Sequence, residues 1–346
     1  MQSEEPIAFF SSPSSELILI LGDGDWSFAT DLCRIRLAEN SDQSATSCIY
    51  ATVFDDYDTL VTKYDKAAEF ADRLKEKGVK VLCGVDATQL DRHEILSSLA
   101  FDHIVFNFPH TGGKTNLRKC RALLRSIMES ASNLLTLSGK FYLSLSGGQS
   151  GLQSPSVSEP PHNLLDCDPP VHNMDSWQPI YLAAYARLVL TRVVPFPKDV
   201  LSVYCPVGYK ETKRKFHVDS AQMLIFQKAT LLAVQNYSTL ACENSDSNEN
   251  RWKFPIYIHD ISFWTGEEFQ ESIFCPLIQR LSRNLVKEIK FLPQFSQAEP
   301  PSKCYRFLWQ STKYAFTRET ARDLQLEIRK LLPQALAEYD IQCILR

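Results

Sequence analysis

The first half of the chain alternates apolar runs with amphipathic stretches. Four runs typical of strands buried on both faces of a sheet lie at residues 17–21, 48–54, 79–85 and 101–106. Patterns with helical spacing follow them at residues 28–37, 59–77, 91–99 and 116–137. Because strands and helices alternate, right-handed crossovers are expected, which predicts an α/β fold whose parallel sheet lies between two helical layers.

Polar residues typical of ligand sites follow each predicted strand. Gly22 and Gly24 come directly after the first strand, where glycine lets the backbone turn tightly and approach a ligand closely. Asp55, Asp86 and Asn107 follow the next three strands. Because such folds bind ligands outside the carboxyl ends of their strands, these residues are expected to share one crevice.

The acidic character of this crevice favours a cationic cofactor. Asp23 and Asp25 would repel a pyrophosphate, and the loop lacks the third glycine of the dinucleotide fingerprint. S-adenosylmethionine carries a sulfonium and an ammonium group, which carboxylates stabilise. Asp55 is placed to accept hydrogen bonds from ribose hydroxyls and Asp86 from the adenine amino group. The predicted cofactor-binding residues are Gly22, Asp23, Gly24, Asp55, Asp86 and Ala87.

The fourth strand ends in a string that suits methyl transfer to a planar nitrogen. In Asn107-Phe108-Pro109-His110, the Asn107 carbonyl can accept the target N–H, and the Phe108 ring can stack on a base. Pro109 stiffens the turn, and His110 is the candidate for removing the proton. Asn107, Phe108 and His110 are therefore the predicted catalytic residues.

Each of these residues also has a structural interpretation. Asp23 and Asp25 fit turn positions or helix N-caps, and Asp86 can cap the helix that follows it. The Asn107 string fits an ordinary strand-to-helix turn, and a lone histidine such as His110 is more often packed than catalytic. Four such sites at four successive strand ends favour the functional interpretation.

Several longer strings carry a family resemblance over most of residues 16–228. They are Gly22-Asp23-Gly24-Asp25-Trp26-Ser27-Phe28, Gly84-Val85-Asp86-Ala87-Thr88, Asn107-Phe108-Pro109-His110-Thr111-Gly112-Gly113 and Gly208-Tyr209-Lys210. This part of the chain resembles the large-subunit ribosomal RNA uridine-N3 methyltransferase-like domain. The resemblance implies a Rossmann-like class I methyltransferase that uses S-adenosylmethionine on RNA. The family more often has Glu and Asn where this chain has Asp23 and Asp25.

The last hundred residues show a different order of elements. Strand patterns at residues 254–264, 286–295, 304–311 and 339–345 enclose two helical patterns. Pro276 suits the first turn of the first helix, and Thr317 suits the N-cap of the second. The order strand-helix-strand-strand-helix-strand predicts a ferredoxin-like α+β domain at residues 252–346.

This second domain resembles the ferredoxin-fold anticodon-binding (FDX-ACB) domain at the end of bacterial-type phenylalanyl-tRNA synthetase β chains. The carrying strings are Tyr257-Ile258-His259-Asp260-Ile261-Ser262-Phe263-Trp264, Cys304-Tyr305-Arg306 and Leu324-Gln325-Leu326-Glu327-Ile328-Arg329. Together, the two halves resemble the ferredoxin-fold anticodon-binding domain-containing proteins. Residues 229–251 between them are the predicted linker, within which residues 238–250 are polar and acidic. The resemblance implies that the second domain binds tRNA or another structured RNA.

Charge and cysteine content narrow the class of protein. The net charge is −4, so RNA binding would need a locally basic face. Candidate RNA-binding residues are Lys114, Lys210, Lys213, Arg214, Lys215, Lys303, Arg306 and Lys313. Exposed Tyr305 or Trp309 could stack on bases, although both also fit a small-sheet core. The ten cysteines show no metal-ligand spacing, so no metal is expected.

The composition of residues 149–173 and the absence of targeting signals bear on a surface loop and on cellular location. The serine- and proline-rich residues 149–173 predict a surface loop beside the substrate mouth, either a lid or an insertion. With no membrane-spanning apolar run and no targeting segment, we expect a soluble cytoplasmic protein, with the nucleolus as a second location.

The sequence therefore predicts an S-adenosylmethionine-dependent methyltransferase that acts on a base nitrogen of rRNA or tRNA, such as uridine N3. Two alternatives remain open: a non-catalytic RNA-binding protein that keeps a methyltransferase scaffold, and an accessory factor of phenylalanyl-tRNA synthetase. The expected partners are RNA, without a membrane, and proteins of the translation machinery.

Overall fold

The computed structural model describes most of the chain. The described residues are 7–39, 43–111, 116–152, 175–206, 218, 220–229, 254–293, 302–311 and 313–346. They form two compact units, one within residues 7–151 and 175–228 and the other from residue 254 onward. The predicted linker, most of the 149–173 loop, Lys114, Lys210, Lys213, Arg214 and Lys215 lie outside the described residues.

The first unit contains a seven-stranded sheet. Its strands are β1 (Ile18–Leu21), β2 (Ile49–Thr52), β3 (Lys80–Leu82), β4 (Phe101–Asn107), β5 (Leu135–Leu145), β6 (Leu188–Pro195) and β7 (Gln222–Lys228). Its α-helices are α1 (Ala8–Ser11), α2 (Ser27–Glu39), α3 (Tyr57–Lys63), α4 (Ala67–Glu76), α5 (Leu117–Leu134) and α6 (Pro179–Tyr185). The strand order is β3-β2-β1-β4-β5-β7-β6; β1 to β5 pair in parallel, and β7 is antiparallel to β5 and β6.

Two helical predictions in this unit were wrong. The pattern at residues 59–77 forms α3 and α4, because Tyr64 is extended between them and packs its side chain against the core. The pattern at residues 91–99 forms no α-helix; short 3₁₀ turns occupy Ala87–Arg92 and Leu96–Ser98. His93 Nδ1 accepts hydrogen bonds from the Ile95 and Leu96 N–H groups, so its side chain takes donors that a continuous helix would use.

A buried arginine fastens the start of the described chain to α2. Arg36 is fully buried, and its Nη1 donates to the Phe9 carbonyl at 3.0 Å and to Ser12 Oγ at 2.8 Å. Its Nε donates to the Ala45 carbonyl at 2.8 Å. Because several oxygens accept from the guanidinium, its burial is compensated and the segment of α1 is held on the core.

The second unit has the predicted ferredoxin-like order of elements. It contains β8 (Tyr257–Thr265), α7 (Glu271–Leu281), β9 (Val286–Phe291), β10 (Ser302–Trp309), α8 (Arg318–Ala337) and β11 (Cys343–Leu345). The antiparallel sheet has the order β11-β8-β10-β9. This arrangement agrees with the predicted α+β class.

Of the two predictions about helix starts in the second unit, the one for Thr317 is confirmed and the one for Pro276 is wrong. Thr317 caps α8 by accepting from the Thr320 N–H at 3.2 Å, as predicted. Pro276 lies inside α7 and not in its first turn, because the helix already begins at Glu271. The fully buried Phe274 packs on Tyr305 at 4.6 Å, and this apolar contact holds the turn that precedes the proline.

Candidate active site

The crevice lies at the carboxyl ends of the central parallel strands. In the ladders, Leu21 of β1 pairs with Phe106 of β4, and Asn107 of β4 pairs with Ser144 of β5. Gly22 then turns with a φ of +59°, and a side chain here would begin 3.2 Å from the Phe106 ring. Glycine is required at this position for both its backbone angle and the nearby aromatic ring.

Asp23 holds the first loop against the start of α2. Its two carboxylate oxygens accept from the Phe28 N–H at 3.0 Å and the Ala29 N–H at 2.8 Å. Burial raises the pKa of Asp23 to about 7, and the charge of Asp25 adds to this effect. The side chain therefore stabilises the helix N-terminus, and a direct contact with a cofactor stays a prediction.

Asp25 and Asp55 form an acidic corner beside Tyr64. Burial raises the pKa of Asp25, which accepts from Ser27 Oγ at 2.5 Å. Asp55 lies just beyond β2 and pairs with Lys63 at 2.9 Å. The pKa of Tyr64 is raised, first by burial and also by the charges of Asp55 and Asp25, so the three residues are neighbours. The structure thus brings together the ends of the first two strands, as the sequence predicted.

Asp86 caps the turn that follows it, which was the structural interpretation of this residue in the sequence analysis. Its Oδ1 accepts from the Thr88 N–H at 2.9 Å and from Thr88 Oγ1 at 2.7 Å, and it opens the 3₁₀ turn that contains Ala87. The Gly84 N–H donates to the Asp55 carbonyl at 3.0 Å, which ties the end of β3 to the end of β2. Asp86 and Ala87 therefore lie near the acidic corner, and their contact with an adenine stays a prediction.

Asn107 is paired with Ser144 in a way that the sequence did not show. Ser144 is fully buried, and its Oγ donates to Asn107 Oδ1 at 2.6 Å. The Asn107 Nδ2 atom is also buried, and within the described part of the chain it has no hydrogen-bond partner. The carbonyl that was expected to accept a substrate N–H therefore already accepts one hydrogen bond from Ser144, whereas the Nδ2 donor has no acceptor among the described residues.

Phe108 does not present its ring to the crevice, which corrects the prediction that it stacks on a base. Its φ is +49°, a left-handed backbone angle that turns the side chain inward. The ring is 8% exposed and packs edge-to-face on Phe196 at 4.9 Å. His110, two residues later, is exposed and is the aromatic residue of this turn that can meet a substrate.

Sequence reasoning missed Tyr204 and the residue that holds it. Burial raises the pKa of Tyr204 well above its usual range, and the charges of Asp23 and Asp25 contribute, so its hydroxyl lies near the first loop. Asp31 Oδ2 accepts from the Val203 and Tyr204 N–H groups, both at 2.7 Å. The only available signal was Asp31 itself, a carboxylate on the core-facing side of α2, which needs buried partners.

The described candidates for RNA binding are mostly engaged within the protein. Lys303 lies over the Phe269 ring at 4.9 Å, and Arg306 makes a two-pronged pair with Asp260 at 2.9 Å. Lys313 is exposed. Tyr305 and Trp309 are 1% and 0% exposed, which supports their role as core residues and excludes stacking on bases. The roles of Lys303, Arg306 and Lys313 stay predictions.

The described residues contain neither a candidate metal-binding cluster nor a helix that could span a membrane. Within the described ranges, no group of three or more His, Cys, Asp or Glu side chains could hold a metal ion. The same residues include no helix that is long and apolar enough to cross a membrane.

The donor set fits a cationic methyl donor. Asp25 and Asp55 supply carboxylates at the strand ends, and Gly22 lets the backbone come close. The strand order reverses between β1 and β4, which places the crevice at the switch point where such folds bind ligands. These features define the first unit as a Rossmann-like class I methyltransferase domain.

Comparison with known proteins agrees with this class. Residues 19–208 match the family model described as BMT5-like, rRNA (uridine-N3-)-methyltransferase BTM5-like. The chain belongs to this family.

Two curated relatives are named for a ferredoxin-fold anticodon-binding domain. The chain is 29% identical to the mouse "Ferredoxin-fold anticodon-binding domain-containing protein 1 homolog", over 79% of the chain and 40% of the mouse protein. It is 31% identical to the human protein 1 of that name, over 61% of the chain and 31% of the human protein. It thus spans less than half the length of these relatives. A segment covering 22% of the chain is 35% identical to 18% of an Arabidopsis thaliana chloroplastic/mitochondrial phenylalanine–tRNA ligase.

Proposed function

We propose that the protein is an S-adenosylmethionine-dependent RNA methyltransferase that modifies a base nitrogen, uridine N3. The observation that carries the proposal is the crevice of a family member in which Asp25, Asp55 and the Asn107–Ser144 pair occupy four strand ends. Bound S-adenosylmethionine supplies an activated methyl group on a positively charged sulfur.

Each side chain of the crevice has a separate task in this proposal. Asp25 favours the positive charge of the donor, and Asp55 accepts from its ribose hydroxyls. Asp23 keeps the loop that carries Asp25 in place. Asn107 orients the base, and His110 accepts the proton that N3 must lose. Because orientation supplies most of the rate acceleration, the buried Phe108–Phe196 contact supports catalysis only by fixing the turn.

The second unit supports binding of a structured RNA. Its ferredoxin-like order and the similarity of the chain to a phenylalanine–tRNA ligase favour a tRNA-type ligand, whereas the family description of the first unit names rRNA. We therefore assign to the second unit the docking of RNA, and to the first unit the chemistry. Translation-machinery proteins are the corresponding class of protein partner.

Titration calorimetry with S-adenosylmethionine tests the first half of the proposal. We expect saturable binding by the full chain, weakened at least about tenfold, or about 1.4 kcal/mol, in Asp55→Ala, since this change removes a carboxylate from the acidic corner. Asn107→Ala is the matched control, because it should keep donor affinity and lose methyl transfer. Absence of binding heat by the unaltered chain would favour the non-catalytic scaffold.

A further inference from the structure

The Asn107–Ser144 pair leaves one buried polar atom to be satisfied by a ligand. Ser144 Oγ donates to Asn107 Oδ1 at 2.6 Å, and the ladder between β4 and β5 places the two residues side by side. Asn107 Nδ2 is buried and finds no acceptor among the residues that the structure describes. A buried donor without an acceptor destabilises the fold, so its retention at a strand end points to a ligand atom that completes it.

The chemistry of the amide decides which ligand atom this can be. An amide nitrogen only donates, so its partner must be an acceptor such as a carbonyl oxygen. The exocyclic amines of adenine and cytosine present N–H groups, which would face Nδ2 donor against donor. Uridine presents carbonyl oxygens on both sides of its N3–H, so the keto edge of this base matches the unsatisfied amide.

We propose that Ser144 is a positioning residue that fixes the Asn107 amide so that Nδ2–H donates to a carbonyl oxygen beside the target nitrogen. This inference rests on the proposed function and deepens it, since it assigns the selection of a keto base to one hydrogen bond. It also reverses the role expected for Asn107, which becomes a donor to the base.

The same hydrogen bond assists the loss of the N3 proton. When that proton passes to His110, its bonding electron pair stays on the base and spreads over N3 and the two adjacent carbonyl oxygens. Nδ2–H then donates to an oxygen that carries more negative charge than before, so the bond strengthens as the reactive form of the base appears. Asn107 therefore lowers the pKa of the N3–H group, and Ser144 acts through Asn107.

Replacement of Asn107 by aspartate distinguishes the donor role from an acceptor role. Asn107→Asp keeps the shape of the side chain and can accept but not donate, so we expect kcat to fall at least about a hundredfold while the Kd for S-adenosylmethionine stays within about threefold. Substrates are a transcribed pool of unmodified tRNA and rRNA fragments, and products are identified by nucleoside mass spectrometry. Retention of more than half the kcat by Asn107→Asp would overturn the inference.

Ser144 is tested through the pH dependence of the rate. We expect kcat of Ser144→Ala to fall about tenfold or more at pH 7 and to recover as the pH rises, because a more basic solution removes the N3 proton without help. Ser144→Cys, with a weaker donor of similar size, should lie between Ala and Ser. Ser130→Ala is the matched control: it also removes a buried hydroxyl, but this one lies on α5, accepts from the Leu90 N–H at 2.8 Å and does not contact Asn107. A Ser144→Ala profile parallel to that of the unaltered chain would overturn the role of Ser144.

The identity of the methylated nucleoside shows whether this inference or the whole proposed function is wrong. 3-Methyluridine supports both. N6-methyladenosine or N4-methylcytidine would preserve the methyltransferase and overturn the keto selection. No methylated nucleoside, together with no binding of S-adenosylmethionine, would remove both.

Discussion

The carboxylates of the crevice, taken residue by residue, have two distinct tasks. Asp23 and Asp86 use their oxygens on backbone N–H groups at the start of the turn or helix that follows each of them. Asp25 shares this task, because its Oδ1 accepts from the Ser27 N–H at 3.1 Å, but its charge, like that of Asp55, also helps to raise the pKa of Tyr64. Because a strand end in this fold is also a helix start, the same residue type serves as a cap in one loop and as a ligand-type group in the next.

The burial of Asp23 makes folding stability dependent on pH. Its folded-state pKa, about 7, lies above the ordinary value, so between pH 4 and 7 the folded chain holds a proton that the unfolded chain releases. The contribution of this group to stability is therefore complete below pH 4 and is lost as the pH rises through 7. We expect the free energy of unfolding of Asp23→Asn, measured in urea from pH 4 to 8, to fall less over this window than that of the unaltered chain. Parallel curves would contradict the assignment.

The spacing of apolar runs in the sequence predicted which residues would lie at the strand ends, but not which of their atoms would form hydrogen bonds within the protein. The sequence placed Asn107 at a strand end, yet the partner Ser144 follows from the register of β4 and β5, which adjacent strands alone do not determine. The inward turn of Phe108 depends on a left-handed φ that is uncommon for a bulky residue. The sequence therefore indicated the site, whereas the direction of individual side chains came only from the structure.

Among the elements, α2 has a second task besides packing on the sheet. Asp31 on its buried side accepts from Ser202 Oγ at 3.0 Å and from the Val203 and Tyr204 N–H groups. Burial alone would raise the pKa of Asp31, but these hydrogen bonds and Arg34 lower it, so the carboxylate stays charged. The helix thereby fixes the segment that carries Tyr204 next to the first loop.

Removal of the Asp31 carboxylate should release that segment. We expect Asp31→Ala to lower the free energy of unfolding by about 1–3 kcal/mol, because two partly buried N–H groups lose their acceptor, and to weaken S-adenosylmethionine binding. In Asp31→Asn, one amide oxygen can still accept from both N–H groups, so the loss should be clearly smaller. Urea denaturation and calorimetric titration measure the two effects. Equal losses in the two variants would show that charge, and not the acceptor, holds the segment.

Element types were predictable where apolar periodicity is long, and wrong where a side chain competes with the backbone. β1, β2, β4 and α5 follow from their apolar patterns. The helix expected at residues 91–99 fails because the His93 ring accepts from nearby N–H groups. That competition depends on the conformation of one side chain, which hydrophobic spacing does not encode.

For the whole molecule, the two-unit organisation follows from the change in element order along the chain. Alternating strands and helices give the mixed seven-stranded sheet, and the later order gives the antiparallel four-stranded sheet. The first-half pattern did not include the antiparallel strand β7, which lies between β5 and β6 in the sheet although it follows β6 in the chain. Fold class was therefore predictable, and complete strand order was not.

Division of labour between the units is testable by truncation. A chain that ends at Lys228 keeps every described residue of the crevice, so we expect its Kd for S-adenosylmethionine to stay within about threefold of that of the full chain. Its Kd for transcribed tRNA, measured by filter binding at fixed salt, should rise at least about tenfold, or about 1.4 kcal/mol. Unchanged RNA affinity would show that the first unit alone docks the nucleic acid.

The inward-facing ring of Phe108 bears on attempts to re-engineer base preference. Phe108 and His110, two residues apart, face opposite directions. Phe108 packs inside the domain against Phe196, whereas His110 is exposed. Swapping Phe108 for another aromatic would disturb the hydrophobic interior and leave the incoming nucleotide untouched. Libraries meant to widen the range of accepted bases should therefore leave Phe108 unchanged, and they should also keep His110, which accepts the N3 proton in the proposed mechanism.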